Sequence, residues 1–482
     1  MRALVLILLL AAPFASALPT PGASGEATLT ALGRVFPEAL QTNDYVSYAE
    51  AVAGLALLGG MAPDRMEIVS LGPSRGWEPL GGGARVTADL FAVEVTNEKS
   101  PVPADEKLTL VFYLSIHGNE KGAREGGLRV IEDLARGVGL AAEDEGLLPM
   151  LDYQRLVFIF ANSDGWTHEE VLNAATGEPA PPVRTVGFTR ENGAGIDLNR
   201  QFPTVGYLFE EYTPLGEPEA RAMVNYTSTL RNVVAGADMH GMVENTNLVR
   251  LLLKDGEKSQ QRLFENERLA ELYKERLNGN PHYDAWAAAP DQPGVCCGQV
   301  AEWAATFDAI GYSASGTAGA FIVQRQGLDA PGYTVEFAYN HYLTDNHYEG
   351  AGAWLNDLHV EAVRDVVAVF MKYASEKVRL SVETHGLRTA VLQTAYVATS
   401  ADDEAPLSGW AAENDADDAF DVVHKPFRAT PAAYWDDLAA YARAGDGVGV
   451  LDTYDDAQTL LARLGDYDQV VVPGSAAARL AG

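Results

Sequence analysis

The sequence predicts an α/β fold built on a mixed, mostly parallel central sheet flanked by helices. Residues 108–116 and 156–161 are two near-continuous hydrophobic runs, as in strands that are covered on both faces. Between them, residues 125–136 have the apolar spacing of a helix. A strand, a helix and a second strand in this order indicate a parallel or mixed sheet within an α/β domain. Ligands of such domains collect where the strands end.

The remaining elements of this domain follow from the same kinds of pattern. Apolar residues at helical spacing indicate helices, and short apolar or alternating runs indicate strands. We therefore predict helices over residues 45–58, 217–234 and 356–377 and strands over residues 66–71, 88–95 and 332–336. The last of these helices is long and amphipathic, which suits an element that closes a domain.

Length and composition predict a folded chain with more than one part. The chain has 482 residues, more than one ordinary core accommodates, and 47% of them are hydrophobic. We divide it into a signal peptide (residues 1–17), a short N-terminal segment (18–39), a main domain (40–378) and a small α/β C-terminal region (379–482).

The N-terminus has the features of an export signal. Residues 3–12 form an apolar run, and Ala15-Ser16-Ala17 is a small-residue site of the kind that signal peptidases cut. The run is shorter than the roughly 20 residues that span a bilayer. We therefore expect cleavage near Leu18, secretion to the extracellular or a periplasm-like space, and no stable membrane insertion afterwards.

The C-terminal region begins with an acidic, turn-rich stretch, residues 400–419, which indicates a linker or loop. Helices over residues 430–443 and 455–464 then alternate with strands over 447–451 and 469–472. This order predicts a small α/β appendage to the main domain. It contains no nucleophile elbow and no glycine-rich phosphate loop, so we assign it no catalytic residue.

The net charge disfavours two classes of binding partner, and the cysteine content limits the disulfides that can form. The formal net charge of -32 disfavours nucleic acids and anionic membrane surfaces, because like charges repel. The two cysteines, Cys296 and Cys297, are neighbours, so a disulfide network does not stabilise the chain. A vicinal disulfide and two free thiols both remain open, and the sequence makes no prediction of the oligomeric state.

Three residues at predicted strand ends have the chemistry of metal ligands. His117 and Glu120 lie three residues apart on the turn that leaves the first buried strand, although such a pair also occurs at ordinary helix starts. His240 follows a second predicted buried strand, more than a hundred residues later. A catalytic zinc ion takes three protein ligands and keeps one position open. We therefore predict that His117, Glu120 and His240 bind one Zn²⁺ per chain.

With these ligands in place, residues 40–378 resemble the zinc carboxypeptidases of the carboxypeptidase A type. The family's motifs occur in the order His-x-x-Glu, Asn-Arg, His, Tyr and Glu, and the same order is present here. The segment from Gly195 to Arg200, Gly-Ile-Asp-Leu-Asn-Arg, is similar to the family's Gly-Val-Asp-x-Asn-Arg segment. The resemblance implies that Asn199 and Arg200 clamp the carboxylate of a peptide's C-terminus, to which a guanidinium binds bidentately.

The same resemblance gives roles to four further residues. Asp197 matches the carboxylate that accepts a hydrogen bond from the first histidine ligand, and Arg190 matches the arginine that stabilises the oxyanion. Tyr312, in Tyr-Ser-Ala-Ser-Gly, matches the mobile tyrosine that covers the substrate. Glu336 matches the general base, which takes a proton from the attacking water and passes it to the leaving amine.

The resemblance therefore implies a secreted zinc carboxypeptidase that acts on peptide or protein C-termini. Two alternatives remain open: a related zinc amidase or deacylase acting on N-acyl amino acids or peptidoglycan peptides, and a catalytically silent binder of peptide C-termini. The side-chain preference is also open. Gly319, at the position of the family's selector, favours apolar or small residues, whereas Arg325 nearby would favour acidic ones.

Overall fold

A computed structural model describes most of the main domain and, after residue 384, four short parts of the C-terminal region. The described residues are 29–30, 33–78, 84–138, 142–167, 188–203, 214–241, 247–253, 260–287, 300–312, 314–324, 327–338, 351–384, 389–392, 451–454, 457–467 and 469–471. The signal peptide, both cysteines, Arg325, the acidic stretch and the predicted helix over residues 430–443 lie outside these ranges.

The main domain alternates strands and helices. Its strands are β1 (Met66–Pro73), β2 (Asp89–Val95), β3 (Leu108–Leu114), β4 (Gln154–Phe160), β5 (Val233–Gly241), β6 (Val249–Leu253), β7 (Ala301–Ala305) and β8 (Gly332–Phe337). Its helices are α1 (Tyr48–Met61), α2 (Gly122–Arg136), α3 (Pro218–Thr227), α4 (Gln260–Gly279), α5 (Asp284–Ala287), α6 (Thr306–Ile310), α7 (Ala318–Val323) and α8 (Ala351–Thr384). Short 3₁₀ turns cover Ala39–Gln41, Ala142–Asp152, Leu198–Arg200 and Pro281–Tyr283.

The eight strands form one mixed sheet in the order β1-β2-β4-β3-β5-β8-β6-β7. The central strands β4, β3, β5 and β8 are parallel, as are β6 and β7. Antiparallel pairs join β1 to β2, β2 to β4 and β6 to β8. The predicted mixed, mostly parallel α/β sheet is therefore confirmed, and the carboxyl ends of β3, β5 and β8 meet at one edge.

Successive residues of β3 show why the central strands are apolar on both faces. Phe112 stacks on Phe158 of β4 at a centroid distance of 5.1 Å and contacts Phe370 of α8 at 5.4 Å. The next residue, Tyr113, contacts Phe202 on the opposite face of the sheet, at 5.7 Å. Because strand side chains alternate between faces, β3 is buried on both sides of the sheet.

Local chemistry and pairing shift several boundaries from the predicted ones. Helix α1 begins at Tyr48, because Ser47 and Glu50 form a capping box. The helix predicted to reach residue 234 ends at Thr227, because residues from Val233 onward pair with β3 and β8 in the sheet. Helix α8 continues past residue 378, the predicted end of the main domain, to Thr384.

The C-terminal region contains its own small parallel sheet. Strands β9 (Thr389–Leu392), β10 (Leu451–Tyr454) and β11 (Gln469–Val471) lie in the order β10-β9-β11. Helix α9 (Ala457–Leu461) connects β10 to β11, which gives this region the predicted α/β character. Within the described residues, no helix combines the length and apolar character that crossing a bilayer requires.

Candidate metal centre and active site

A strained turn at the end of β3 presents the first two predicted ligands. Ser115 has a φ of 53°, a left-handed conformation that turns the chain out of the strand. Its hydroxyl donates to the carbonyl of Glu120 at 2.6 Å and accepts from the backbone N–H of Arg124 at 3.3 Å. This hydrogen-bonded turn places the His117 and Glu120 side chains together before α2 begins.

The three predicted metal ligands converge in the structure. Nδ1 of His117 lies 2.8 Å from one oxygen of Glu120, and Nδ1 of His240 lies 2.9 Å from the other. The two Nδ1 atoms are 3.1 Å apart. All three side chains are buried, and one donor atom from each lies within 4.8 Å of the others. Two imidazoles and one carboxylate therefore face a common point.

Each histidine has a second carboxylate behind it. Nε2 of His117 lies 3.1 Å from Asp197, and Nε2 of His240 lies 2.9 Å from Asp238. A carboxylate at Nε2 favours the tautomer that carries its proton there, which leaves the Nδ1 lone pair free for a metal. Asp197 thus lies beside His117, and its role as the acceptor for that histidine stays a prediction. Asp238 was not predicted from the sequence, although it is two residues before His240 on the same face of β5.

Arg190 bridges two of these carboxylates. Its guanidinium lies 3.3 Å from Glu120 and donates to Asp197 at 2.9 Å. Burial disfavours the charged form, but Asp197 and Glu120 outweigh it and raise the pKa of Arg190, with a further contribution from Tyr312. Arg190 is therefore a permanent cation at the rim of the metal centre, and Tyr312 lies close enough to interact with it electrostatically.

Two glycines let the segment that carries Arg190 approach the end of β3. A Cβ atom on Gly118 would lie 2.5 Å from the backbone of Gly165, and one on Gly165 would lie 2.5 Å from the carbonyl oxygen of Thr189. The Asn162 amide donates to the carbonyl of Arg190 at 3.0 Å. Three backbone segments thus pack without side chains between them.

Glu336 stands beside a metal ligand on the neighbouring strand. In the parallel pair of β5 and β8, His240 and Glu336 are register partners, and Glu336 is partly exposed. On the other side, Glu336 is the register partner of Arg250 on β6. Register partners project from the same face of a sheet, so the carboxylate of Glu336 lies on the face that carries the metal ligands.

The predicted substrate-binding residues occupy different environments. Arg200 is 29% exposed, and its Nη1 donates to the carbonyl of Asn199 at 3.0 Å. Asn199 itself is buried: its amide nitrogen lies 3.2 Å from Nε2 of His240, and its amide oxygen accepts from the N–H of Ala318 at 2.8 Å. Tyr312 is 45% exposed and follows Gly311, whose φ is 79°.

The sequence profile of the zinc carboxypeptidase family matches residues 55–349, more than half of the chain. The chain belongs to this family. Carboxypeptidase D of Drosophila melanogaster is 30% identical over 155 residues, which cover 32% of this chain and 10% of that protein. The match therefore spans about a tenth of that relative's length.

Solved structures of metallocarboxypeptidases also resemble this zinc carboxypeptidase family member. Carboxypeptidase A from Helicoverpa armigera is 16% identical, with 69% of this chain and 74% of that chain covered and a TM-score of 0.46. A metallo-carboxypeptidase from Pseudomonas aeruginosa is 19% identical, with 66% and 68% covered and a TM-score of 0.38.

The geometry and charge of the centre fit the zinc ion of the family. Burial disfavours protonated His240, yet Asp238 and Glu120 outweigh it and raise its pKa well above the usual value. The pKa of Glu120 is held well below its usual range, because His117 and His240 outweigh the effect of burial. The buried carboxylates thus favour positive charge at the point where the three donors meet. Two imidazole nitrogens and one carboxylate are a catalytic zinc donor set.

One further residue near the site was missed by the sequence analysis. Arg250 on β6 donates to the carbonyl of Ala309 in α6 at 2.6 Å and to the Asn247 side chain at 3.3 Å. It therefore ties the strand next to Glu336 to the helix that leads into Tyr312. A single arginine in an apolar strand gave no signal in the sequence, because its partners are set by the pairing of β6 and β8.

Gly319, the predicted selector position, also takes part in the buried network. Its N–H donates to the second oxygen of the Asp238 carboxylate at 3.0 Å. The start of α7 is therefore bonded to the carboxylate that contacts His240. Arg325 lies outside the described residues, so its effect on the side-chain preference stays a prediction.

Proposed function

We propose that the chain is a secreted zinc-dependent carboxypeptidase, which hydrolyses the C-terminal peptide bond of peptides or proteins. One observation carries the proposal: the donors of His117, Glu120 and His240 meet at a point, and Glu336 is the register partner of His240 on the next strand. A metal site with a carboxylate beside it has the two components of metal-assisted hydrolysis.

Zinc bound by these three residues would supply a Lewis acid that activates water and polarises the scissile carbonyl. Glu336 is the general base in this proposal. It accepts the proton of the attacking water and then donates it to the nitrogen of the departing residue. Its partial exposure leaves it accessible to a peptide bound at the metal centre.

Arg190 stabilises the oxygen of the scissile carbonyl as negative charge develops on it. Its side chain is held by Glu120 and Asp197 before substrate arrives, so little reorganisation is needed during the reaction. Because the Asp197 carboxylate also supports His117, the same residue orients a metal ligand and the oxyanion donor.

Arg200 and Tyr312 bind the substrate's C-terminal residue. The partly exposed guanidinium of Arg200 has the planar fork that pairs with a carboxylate, and exposed Tyr312 covers the bound residue. Asn199 supports this clamp, because its side chain accepts a hydrogen bond from the N–H of Ala318 and so fixes the turn that carries Arg200. A carboxylate clamp at this place restricts cleavage to a free C-terminus.

The experiment that tests this proposal is incubation of the purified zinc-loaded protein with a mixed peptide library, with and without a chelator. Mass spectrometry would show peptides shortened by one residue at the C-terminus, and chelator would abolish the change. N-acyl amino acids and peptidoglycan peptides are included in parallel. Hydrolysis of these compounds alone would identify an amidase or deacylase, and C-terminal binding without turnover would identify a silent binder.

Secretion is tested separately, because it rests on residues 1–17. Expression of the full chain in an exporting host, followed by N-terminal sequencing, should give a mature start near Leu18. Retention of an unprocessed chain inside the cell would contradict the export proposal and leave the enzymatic one untouched.

A further inference from the structure

The chain from residue 33 to residue 47, here called the N-terminal strap, is bonded to α2 by buried carboxylates. The backbone N–H groups of Val35 and Phe36 donate to the two oxygens of Glu132 at 2.8 Å and 2.9 Å. The N–H of Val46 donates to Glu125 at 2.9 Å. Both glutamates are fully buried, so each would lose satisfied hydrogen bonds if the strap left.

The end of the strap contacts the segment that carries Arg190. The ring of Tyr45 meets the ring of Phe188 edge to face, with a centroid distance of 6.4 Å. The ammonium group of Lys121, one residue after the metal ligand Glu120, lies 4.9 Å from the centre of each ring. An ammonium group between two aromatic rings is attracted to both.

A second buried cation completes this cluster. The Arg124 guanidinium lies 4.4 Å from the ring of Phe188 and 4.9 Å from the ring of Trp166. It also donates to the carbonyl of Gly118 at 2.5 Å. The indole N–H of Trp166 donates to the carbonyl of Val46 at 3.0 Å, which returns the network to the strap.

Phe188 is two residues before Arg190, and the N–H of Thr189 between them donates to Gly165 at 3.2 Å. We propose that the N-terminal strap is retained in the mature protein as part of the active site. In this proposal Tyr45 positions Arg190 through Phe188. Any N-terminal processing therefore stops before residue 33. The catalytic consequence rests on the proposed function, whereas the structural support of residues 188–190 does not.

The test uses the zinc-loaded full chain and the variants Tyr45→Leu and Tyr45→Phe. Tyr45→Leu removes the aromatic face, and a small displacement of Arg190 lowers kcat by about tenfold or more. Zinc content stays stoichiometric and KM changes by less than about threefold, because neither Arg200 nor the metal ligands move. Tyr45→Phe keeps the ring and retains activity. Trp354→Leu is the matched control, since it removes an aromatic contact to Trp286, 6.1 Å away between centroids, outside the cluster.

Hydrogen exchange provides a readout that does not depend on activity. In Tyr45→Leu the backbone amides of residues 188–197 exchange faster, while those of β3 and the centre of α8 keep their protection. Phe188→Leu produces the same local change, which covers the case in which Tyr45→Leu folds poorly. If the wild-type protein is inactive but the two variants show this exchange pattern, the proposed function is refuted and the structural role of the strap is supported.

Two results would overturn the inference. One is a Tyr45→Leu protein with wild-type kcat and unchanged exchange in residues 188–197. The other is an active mature protein whose N-terminus, read by mass spectrometry, lies beyond residue 33. A mature N-terminus before residue 33 is the expected result.

Discussion

His240 and Glu336 are register partners on the adjacent parallel strands β5 and β8. A metal ligand and a carboxylate therefore project side by side from one face of the sheet, although 96 residues separate them in the chain (336 minus 240). The backbone ladder fixes their separation more firmly than two loops would. The same ladder continues to Arg250 on β6, so Glu336 has an imidazole neighbour on one side and a guanidinium neighbour on the other.

Replacing the carboxylate of Glu336 separates its proposed role from metal binding. Glu336→Gln keeps zinc and binds peptides, but turnover falls by about 10²–10⁴-fold because no group accepts the proton of the attacking water. His240→Ala is the complementary variant and loses the metal. Steady-state kinetics and elemental analysis measure the two effects, and near-normal turnover of Glu336→Gln would remove Glu336 from the mechanism.

The carboxylates behind the two histidines should set the affinity for zinc. Asp238→Asn and Asp197→Asn each weaken zinc binding by about 10–100-fold, because the acceptor behind the histidine loses its negative charge and holds the ring's tautomer and basicity less well. Competition with a chelator of known affinity measures the change. Asp105→Asn serves as the control, because Asp105 is 62% exposed and pairs only loosely, at 3.6 Å, with Arg231. Unchanged zinc affinity in Asp238→Asn would show that its contact with His240 is incidental.

Glu219 on α3 makes stability depend on pH. Burial, with a contribution from the charge of Asp164, raises the pKa of this carboxyl to about 7, although the N–H of Arg75 donates to it at 2.7 Å. Because its pKa is raised in the folded state, protonated Glu219 stabilises the fold. This contribution is complete below the unfolded pKa near 4.5 and is lost as the pH rises through about 7.

Glu219→Gln should remove this dependence, because the amide keeps an acceptor oxygen and carries no charge. From pH 5 to pH 8 we expect the free energy of unfolding of the variant to rise, relative to that of the wild type, by on the order of 2 kcal/mol. Urea denaturation of the zinc-loaded proteins at both pH values measures the difference. An equal gap between variant and wild type at the two pH values would contradict the prediction.

The close approach of Gly165 to Thr189 predicts an unusually costly glycine substitution. In Gly165→Ala the new methyl group meets a backbone oxygen at 2.5 Å, so the segment leading to Arg190 must move. We expect a loss of about 1–3 kcal/mol in stability together with a fall in kcat.

Gly59→Ala is the matched control for this variant. Gly59 lies inside α1, and a Cβ atom there meets nothing within 4 Å. Alanine should stabilise the helix by about 0.5–1 kcal/mol and leave kcat unchanged. Thermal unfolding and kinetics of both variants provide the test, and equal stabilities for the two alanine variants would contradict the packing described for Gly165.

The sequence by itself determined the fold class and the metal ligand set. Both follow from features that are local along the chain: apolar runs long enough to be buried strands, and His117, Glu120 and His240 placed where such runs end. The order of the motifs then indicated the family, and the family profile agrees with it. Residue type and position relative to a strand are properties that a single sequence displays.

The tertiary structure decided which distant residues meet. Sheet order differs from chain order, so the pairing of His240 with Glu336, and of Glu336 with Arg250, depends on the register of three strands. The end of α3 at Thr227 was also mispredicted. The helical spacing continues in the sequence, but the residues from Val233 onward pair with a neighbouring strand of the sheet. Long-range packing sets register, and no window of sequence contains it.

The contact between Tyr45 and Phe188 shows the same limit most clearly. Neither aromatic residue had a predicted role, because more than a hundred positions separate them and no motif includes both. Lys121, the residue before α2, contacts both rings, and Arg124 of α2 contacts Phe188. Whether Arg190, the proposed oxyanion donor, is held in place is therefore decided by the folded chain, where desolvated charges must find aromatic or carbonyl partners.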